Sequence, residues 1–399
     1  MNISMSELLS FDYFKGLRLL AGREGLTKPV SSCGTLDYEL DPHLNKKFFY
    51  NNFKPYTLTL SSLFFAKDNP FQIMDAVKYL VSQEGSGLII KNVFRLPIHE
   101  SVLRYADYKG FPLFLMDDSI LFEDFIIQVF LCINAVSSAA NAETILDRLL
   151  YQDTNASEKE ILARQLLPSL RSQYFAIHLR SESSITIDVA ALIKANAAQA
   201  LPTGTSYAVA HYRQGAFLIL SQDAFPNTLS GLFETVAGLV PEELHCSIGI
   251  GMLHFKPEEF DTAIKESLFA STIHYLENTR FHLKNTPYLC YSDLGIYRAL
   301  LPVLSDPALG AYSRQVLEPV AEFDAENRGN LLETLLLFVQ CGGDLHLLAG
   351  KTGQHENTIR YRMNKIFALT GLQYQKPAHY EELALAARIF LLSREDLPL

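Results

Sequence analysis

Eight side chains in one eleven-residue stretch have the types that read nucleic acid: His355, Asn357, Thr358, Arg360, Tyr361, Arg362, Asn364 and Lys365. Amides and hydroxyls exchange hydrogen bonds with base edges, and guanidinium and ammonium groups pair with phosphates. Wound at 100° per residue, the stretch puts Ile359, Met363, Ile366 and Phe367 on one apolar face. Asn357, Thr358, Tyr361, Asn364 and Lys365 fall opposite, with Arg360 and Arg362 flanking. Asn357, Thr358 and Tyr361 suit bases; Arg360, Arg362 and Lys365 suit phosphates. A solvated helix face, which any amphipathic helix has, is the competing reading.

Other chemistry is poorly supported. Gly350-Lys351-Thr352 mimics the tail of a P-loop, but Leu345 stands where its first glycine belongs, and no strand precedes it. Gly85-Ser86-Gly87 and Gly249-Ile250-Gly251 lack the third glycine of a dinucleotide fingerprint. No serine lies in a G-x-S-x-G elbow. The histidines show no HxxxH or HxH spacing; His274 and His282 share a helix side only if one helix spans both. The five cysteines are scattered and form no CxxC pair, so neither disulfides nor zinc is indicated. No catalytic constellation, metal or cofactor is therefore expected. Phe48, Phe49, Phe53, Phe64 and Phe65 either line a small-molecule pocket or are plain core.

Apolar residues make up 48% of the 399-residue chain, which is long enough for several domains with buried cores. The net charge of −10 argues against nucleic acid until its distribution is considered. Residues 331–399 carry seven basic and seven acidic side chains, and Lys351, Arg360, Arg362 and Lys365 face only Glu356 in 351–365. The acid is concentrated in 121–330. No stretch approaches ~18 uninterrupted apolar residues, and MNISMSELLSFDYFKG lacks the basic-then-apolar order of a signal peptide. A cytoplasmic location without a membrane partner is the expectation.

The elements that would position the site follow from periodicity. Met5–Leu20 has helical spacing. Tyr56–Phe65, Gly87–Ile90 and Pro112–Met116 read as extended, with helices over Phe71–Glu84 and Ile98–Lys109, a pattern that predicts a parallel α/β sheet. Leu121–Gln152 reads as one long helix, a spacer or dimer seam. Tyr174–Leu179, Ser206–Tyr212, Ala216–Ser221 and Cys246–Met252 read as strands. Helices are expected over Val189–Ala200, Thr228–Leu239 and Pro257–Thr279, giving an antiparallel α/β sandwich with a hairpin at Arg213-Gln214-Gly215. Residues 293–322 are helical, punctuated by Pro302, Pro307 and Pro319, and Ala325–Asn330 reads as a polar linker.

Asn330 with Glu333 suggests a capping box opening a helix that Gly342-Gly343 ends. Asp344 caps the next short helix, ending near Gly350, and Gly353 supplies a turn before a helix from about His355 to Thr370, closed at Gly371. A small residue (Ala349), a turn glycine (Gly353) and an aliphatic anchor (Ile359) are what a helix-turn-helix requires.

At these residues the chain resembles a known family. Gly342-Gly343-Asp344, Asn357-Thr358-Ile359-Arg360-Tyr361-Arg362-Met363, Ile366 and Leu369-Thr370-Gly371-Leu372 are similar to the C-terminal helix-turn-helix of the PucR/CdaR bacterial regulators. Glu356 departs from the basic residue common there. Tyr291-Ser292-Asp293-Leu294-Gly295-Ile296-Tyr297-Arg298 is similar to the segment ending the family's middle domain. Gly16-Leu17-Arg18-Leu19-Leu20-Ala21-Gly22 with Pro29-Val30 is similar to its N-terminal domain. The resemblance implies a multidomain α/β plus α chain: an α/β sensory domain (1–120), a linker or dimerisation helix (121–165), a degenerate GGDEF-like α/β sandwich (166–300), a helical linker (301–329) and an all-α helix-turn-helix domain (330–399). Cyclase activity is not expected, because the turn Arg213-Gln214-Gly215-Ala216-Phe217 carries no metal-binding carboxylate. The implied function is a ligand-responsive, sequence-specific regulator, an activator more often than not, of metabolite catabolism genes. Its implied partners are a double-stranded operator, a small-molecule effector and a second copy of itself. The alternative is a sensory scaffold whose C-terminal helices bind a protein.

Overall fold

The computed structural model describes residues 3–36, 53–181, 185–282, 285–373 and 376–395. It divides into two compact units, Met1–Asn141 and Ala142–Leu399, each with its own five-stranded sheet and apolar cores.

The first unit opens with β1 (Ile3–Ser4) and α1 (Met5–Ser10). Ser4 and Glu7 form a reciprocal capping box at the start of α1. The helix expected over Met5–Leu20 stops there, and the chain is extended again at β2 (Arg18–Ala21). Leu17 and Leu19 pack on one side of the sheet and Leu20 on the other, the alternation of a strand. Then come β3 (Pro29–Val30), β4 (Ser32–Thr35), β5 (Thr57–Ser61), α2 (Gln72–Ser82), β6 (Gly87–Ile90), α3 (Glu100–Tyr108) and β7 (Leu113–Leu115). The main sheet has the order β2-β7-β6-β5-β4. Its last four strands are mutually parallel, but β2 joins β7 antiparallel, so the sheet is mixed rather than all-parallel. Leu60, Ile89 and Phe114 stand in register on one face, and Leu88, Ile90 and Leu113 on the other. Both faces are covered, which is why β5 and β6 are wholly buried and β6 reads as a continuous apolar run. Gly22, at φ +79°, ends β2 where a Cβ would stand 2.1 Å from the Phe111 carbonyl oxygen, so only glycine fits.

Of the phenylalanines read as either pocket lining or plain core, Phe53 and Phe65 are buried in the core and Phe64 is exposed beside Phe94. Phe48 and Phe49 lie outside the described residues. A cavity of this unit lies elsewhere, at the carboxyl ends of β6 and β7, where Arg18, Asn92 and Arg95 help to line about 530 Å³.

The division between units falls inside α4 (Phe122–Tyr151). This helix is, by length and composition, apolar enough to cross a membrane, which a search for unbroken apolar runs overlooks. It is partly a core helix: Phe125, Val129, Cys132 and Ile133 pack in the first unit, and Ile145, Leu146, Leu149 and Leu150 in the second.

The second unit continues with α5 (Ala156–Leu166), capped by Asn155. Then follow β8 (Gln173–Arg180), α6 (Ile187–Ala200), β9 (Ser206–Tyr212), β10 (Gly215–Gln222), α7 (Ser230–Ala237), β11 (Ser247–Ile250), α8 (Phe260–His274) and β12 (Leu289–Cys290). The sheet order is β12-β11-β8-β10-β9, antiparallel except for the β11–β12 pair. Two split strand–helix–strand halves thus interlock. The expected hairpin is present: Tyr212 pairs with Gly215 across a two-residue turn, Arg213-Gln214. The long helix expected over Pro257–Thr279 is composite, with a π-helical turn over Tyr275–Arg280 beyond α8. His274 is buried and accepts from the Ile248 N–H, so it serves the sheet. Among the described residues no cluster of three or more His, Cys, Asp or Glu could hold a metal.

The rest is helical: α9 (Tyr297–Leu300), α10 (Pro307–Asn327), α11 (Leu331–Gln340), α12 (Leu345–Thr352), α13 (Glu356–Thr370) and α14 (Pro377–Leu392). Leu317 and Val320 of α10 are buried with the four later helices, and α10 runs through much of the stretch expected as a polar linker.

His178 on β8 is buried, its Nδ1 2.6 Å from Ser271 Oγ. Burial, and then the Arg180 charge, pushes its pKa down to about 3. An unfolded chain protonates this ring near 6.5, so between 6.5 and 3 the unfolded state binds more protons. The stability that neutral His178 contributes is intact above 6.5 and is lost as pH falls through that window. Unfolding free energy should therefore drop more steeply from pH ~7 to ~5 in the wild type than in His178→Asn; parallel slopes in urea titrations would contradict the assignment.

Candidate nucleic-acid interface

The candidate interface is built on a tight turn between two helices. Asp344 opens α12 by accepting from the His346 and Leu347 N–H groups at 2.8 and 3.0 Å. Those bonds hold its carboxyl below the usual carboxylate range. The helix runs two residues past Gly350, to Thr352, and stops at Gly353, whose φ of +64° is the left-handed conformation glycine tolerates best. His355 caps α13, its Nδ1 accepting from the Asn357 N–H at 3.2 Å. Gly371, at φ +72°, closes the helix.

Ile359, Met363, Ile366 and Phe367 are all buried, against Leu348 and Ala349 of α12 and the apolar sides of α10, α11 and α14. This one-sided burial sets the rotation of α13. His355, Asn357, Thr358, Arg360, Tyr361 and Asn364 are consequently exposed together, Tyr361 at 73%. Arg362 and Lys365 are half-buried on the flank. The Arg362 Nη1 donates to Thr334 Oγ1 of α11 at 3.2 Å, and the Lys365 ammonium lies 4.8 Å from the Phe323 ring centroid on α10. Six of the eight expected residues are thus gathered on the outward face, and two are turned toward the helical bundle. Lys365 was expected among the outward group; its flexible stem instead folds back over an aromatic face.

Two contributors lie outside α13. Lys351 on α12 is exposed and donates to the His282 carbonyl of the preceding domain. Asp324 is the second. The expected Asn330 capping box is not formed, and Asn330 makes no side-chain cap bond. Instead the Asp324 carboxylate accepts from the Leu331 and Leu332 N–H groups at 2.9 and 2.8 Å. Arg328, at φ +50°, reverses the chain so that a carboxylate seven residues back reaches α11. No local motif signals such a cap.

Two family models match this chain. The purine catabolism regulatory protein-like family covers residues 7–133, and the PucR C-terminal helix-turn-helix domain covers 331–389, from the first residue of α11 into α14. The chain carries a PucR-like N-terminal domain and a PucR C-terminal helix-turn-helix domain. The family that these two domains mark consists of transcriptional regulators, not enzymes. Curated relatives are similar over shorter stretches. An uncharacterized protein of Haemophilus influenzae is 37% identical over 62 residues, 16% of this chain and 17% of that protein. An uncharacterized protein of Mycobacterium tuberculosis is 33% identical over 96 residues, 23% of this chain and 22% of that one. The chain thus spans about a fifth of the length of the curated relatives it matches. A solved regulator of polyketide synthase expression from Bifidobacterium adolescentis aligns over 63% of this chain and 99% of that chain, at 19% identity and a TM-score of 0.28.

Asp324→Ala should cost about 1–2 kcal/mol of unfolding free energy, while Asn330→Ala should stay within about 0.5 kcal/mol of wild type. Urea titrations check both, and a larger loss for Asn330→Ala would refute the cap assignment.

Proposed function

We propose that this PucR-family chain is a ligand-responsive, sequence-specific regulator that binds double-stranded DNA through the outward face of α13. The observation that carries the reading is the opposition on one helix of four buried apolar anchors and six exposed polar or aromatic side chains. In this reading Asn357, Thr358 and Tyr361 meet base edges, and Arg360, with Arg362, Lys365 and Lys351 from the flanks, meets phosphates. His355 and Asn364 lie on the same face. A homodimer would present two such helices about one DNA turn, ~34–36 Å, apart on a two-fold operator.

The division of labour we propose follows the expected segments. Residues 1–120 sense a small-molecule effector, 121–165 and 166–300 pair subunits, 301–329 join, and 330–399 bind the operator. The β6–β7 cavity supports the sensor role, because ligands of parallel sheets sit outside the carboxyl ends of strands. The order β11-β8-β10-β9, with β9 and β10 as hairpin, supports a degenerate GGDEF-like middle domain. Effector binding would act through different affinities for two arrangements of the dimer. Control of catabolic genes, by activation, completes the proposal and rests on the family alone.

Leu347, 46% exposed on α12, and Tyr361 favour a second reading in which the same helices bind a protein. Salt dependence separates the two. On a selected DNA fragment, Arg360→Ala should weaken binding about tenfold and lower the slope of log K against log salt by about one. Affinity unchanged in an anisotropy titration would remove α13 from the interface.

A further inference from the structure

We propose that the middle domain holds a second ligand site, separate from the β6–β7 cavity, that takes a small oxyanion-bearing metabolite in the cleft beside the β9–β10 turn. The cleft has a volume of about 370 Å³ and is lined by, among others, Tyr151, His178, Arg180, Tyr212, Arg213 and Thr272. Among the described residues two guanidinium groups line it and no carboxylate does. Guanidinium forks and hydroxyls are the groups that recognise carboxylate or phosphate oxygens.

Three features mark a built site rather than a surface dent. The first is His178, which is 7% exposed. Its Nδ1 is engaged by Ser271, and its Nε2 edge lies beside Gly215, itself a lining residue. Burial keeps this ring neutral. Because Ser271 Oγ donates to the Leu268 carbonyl, Nδ1 donates to Ser271 and Nε2 is left an acceptor. That acceptor suits a hydroxyl of the metabolite or the proton of a monoprotonated oxyanion, while the guanidinium groups take the charged oxygens. The second is Arg213. It occupies the first turn position of a two-residue hairpin at φ +50°, where glycine is favoured, and its guanidinium is near the Tyr151 and Tyr212 rings, 5.2 Å from each centroid. A strained position occupied by a charged side chain at a cleft is where function overrides local preference. Arg213 is also ion-paired with the Asp147 carboxylate at 3.9 Å, a pair with which an incoming anion would compete. The third is Arg180, over the Tyr275 ring and paired at 2.8 Å with Glu395, whose side chain is 7% exposed. Glu395 lies just beyond α14, the helix that closes the helix-turn-helix core. An anion drawn to Arg180 therefore competes with the carboxylate that ties this end of the chain to the middle domain.

The test is calorimetric titration of the full chain with inorganic phosphate and, separately, succinate, at constant ionic strength. Saturable binding of either below about 10 mM is expected, and the better probe identifies the ligand as phosphate-like or carboxylate-like. Arg213→Gly should weaken it at least about tenfold while leaving the thermal midpoint unchanged or raised, because glycine relieves the turn. Glu395→Gln should tighten it by removing the competitor for Arg180. Arg18→Gln, in the other cavity, should leave it unchanged. No saturable binding of either probe, or binding that survives Arg213→Gly and disappears with Arg18→Gln, would overturn the proposal.

Discussion

The burial of Ile359, Met363, Ile366 and Phe367 is the constraint on which the rest of the candidate interface depends. A fifteen-residue helix is marginal in water by itself, and packing of an apolar face is what holds it. Truncating any of these four would cost about 2–5 kcal/mol. The same packing fixes the rotation of α13, so what the helix shows to solvent is decided by what it hides. Gly353 and the His355 cap only set where the helix begins.

The bundle around α13 is itself tied to the middle domain within one compact unit. Ile389 and Leu392 of α14 lie in the core that also holds Tyr174, Phe217 and Phe260. The Gln340 amide donates to the Tyr297 hydroxyl at 3.0 Å, and Glu395 receives both Arg180 and Arg280. The helix-turn-helix is therefore not a bead on a tether. A rearrangement of β8 or of the α8 end would be felt at α14 through packed side chains and buried charge.

Much of this was legible from residues. Gly87–Ile90 and Ser206–Tyr212 are short apolar runs bounded by turn residues, and both strands fall on the expected limits. The inward face of α13 follows from its period, because burial and spacing agree on every one of its four anchors. Other parts were not legible. The strands β2, β4 and β12 are two to four residues long and borrow their stability from neighbours, so their own sequence barely marks them. The Asp324 cap depends on a chain reversal at Arg328. The inward turn of Arg362 and Lys365 depends on Thr334 and Phe323, which lie 28 and 42 positions upstream. The cleft at Arg213 joins residues from Tyr151 to Thr272, a set that only the folded sheet assembles.

Selection of genomic DNA fragments by the purified full chain, with and without a metabolite pool, tests the central claim most directly. The account predicts enrichment of one palindromic site whose half-sites are about one helical turn apart, with affinity falling steeply as salt rises. Failure to enrich any fragment under either condition, or retention that ignores salt, would contradict a DNA-reading role for α13.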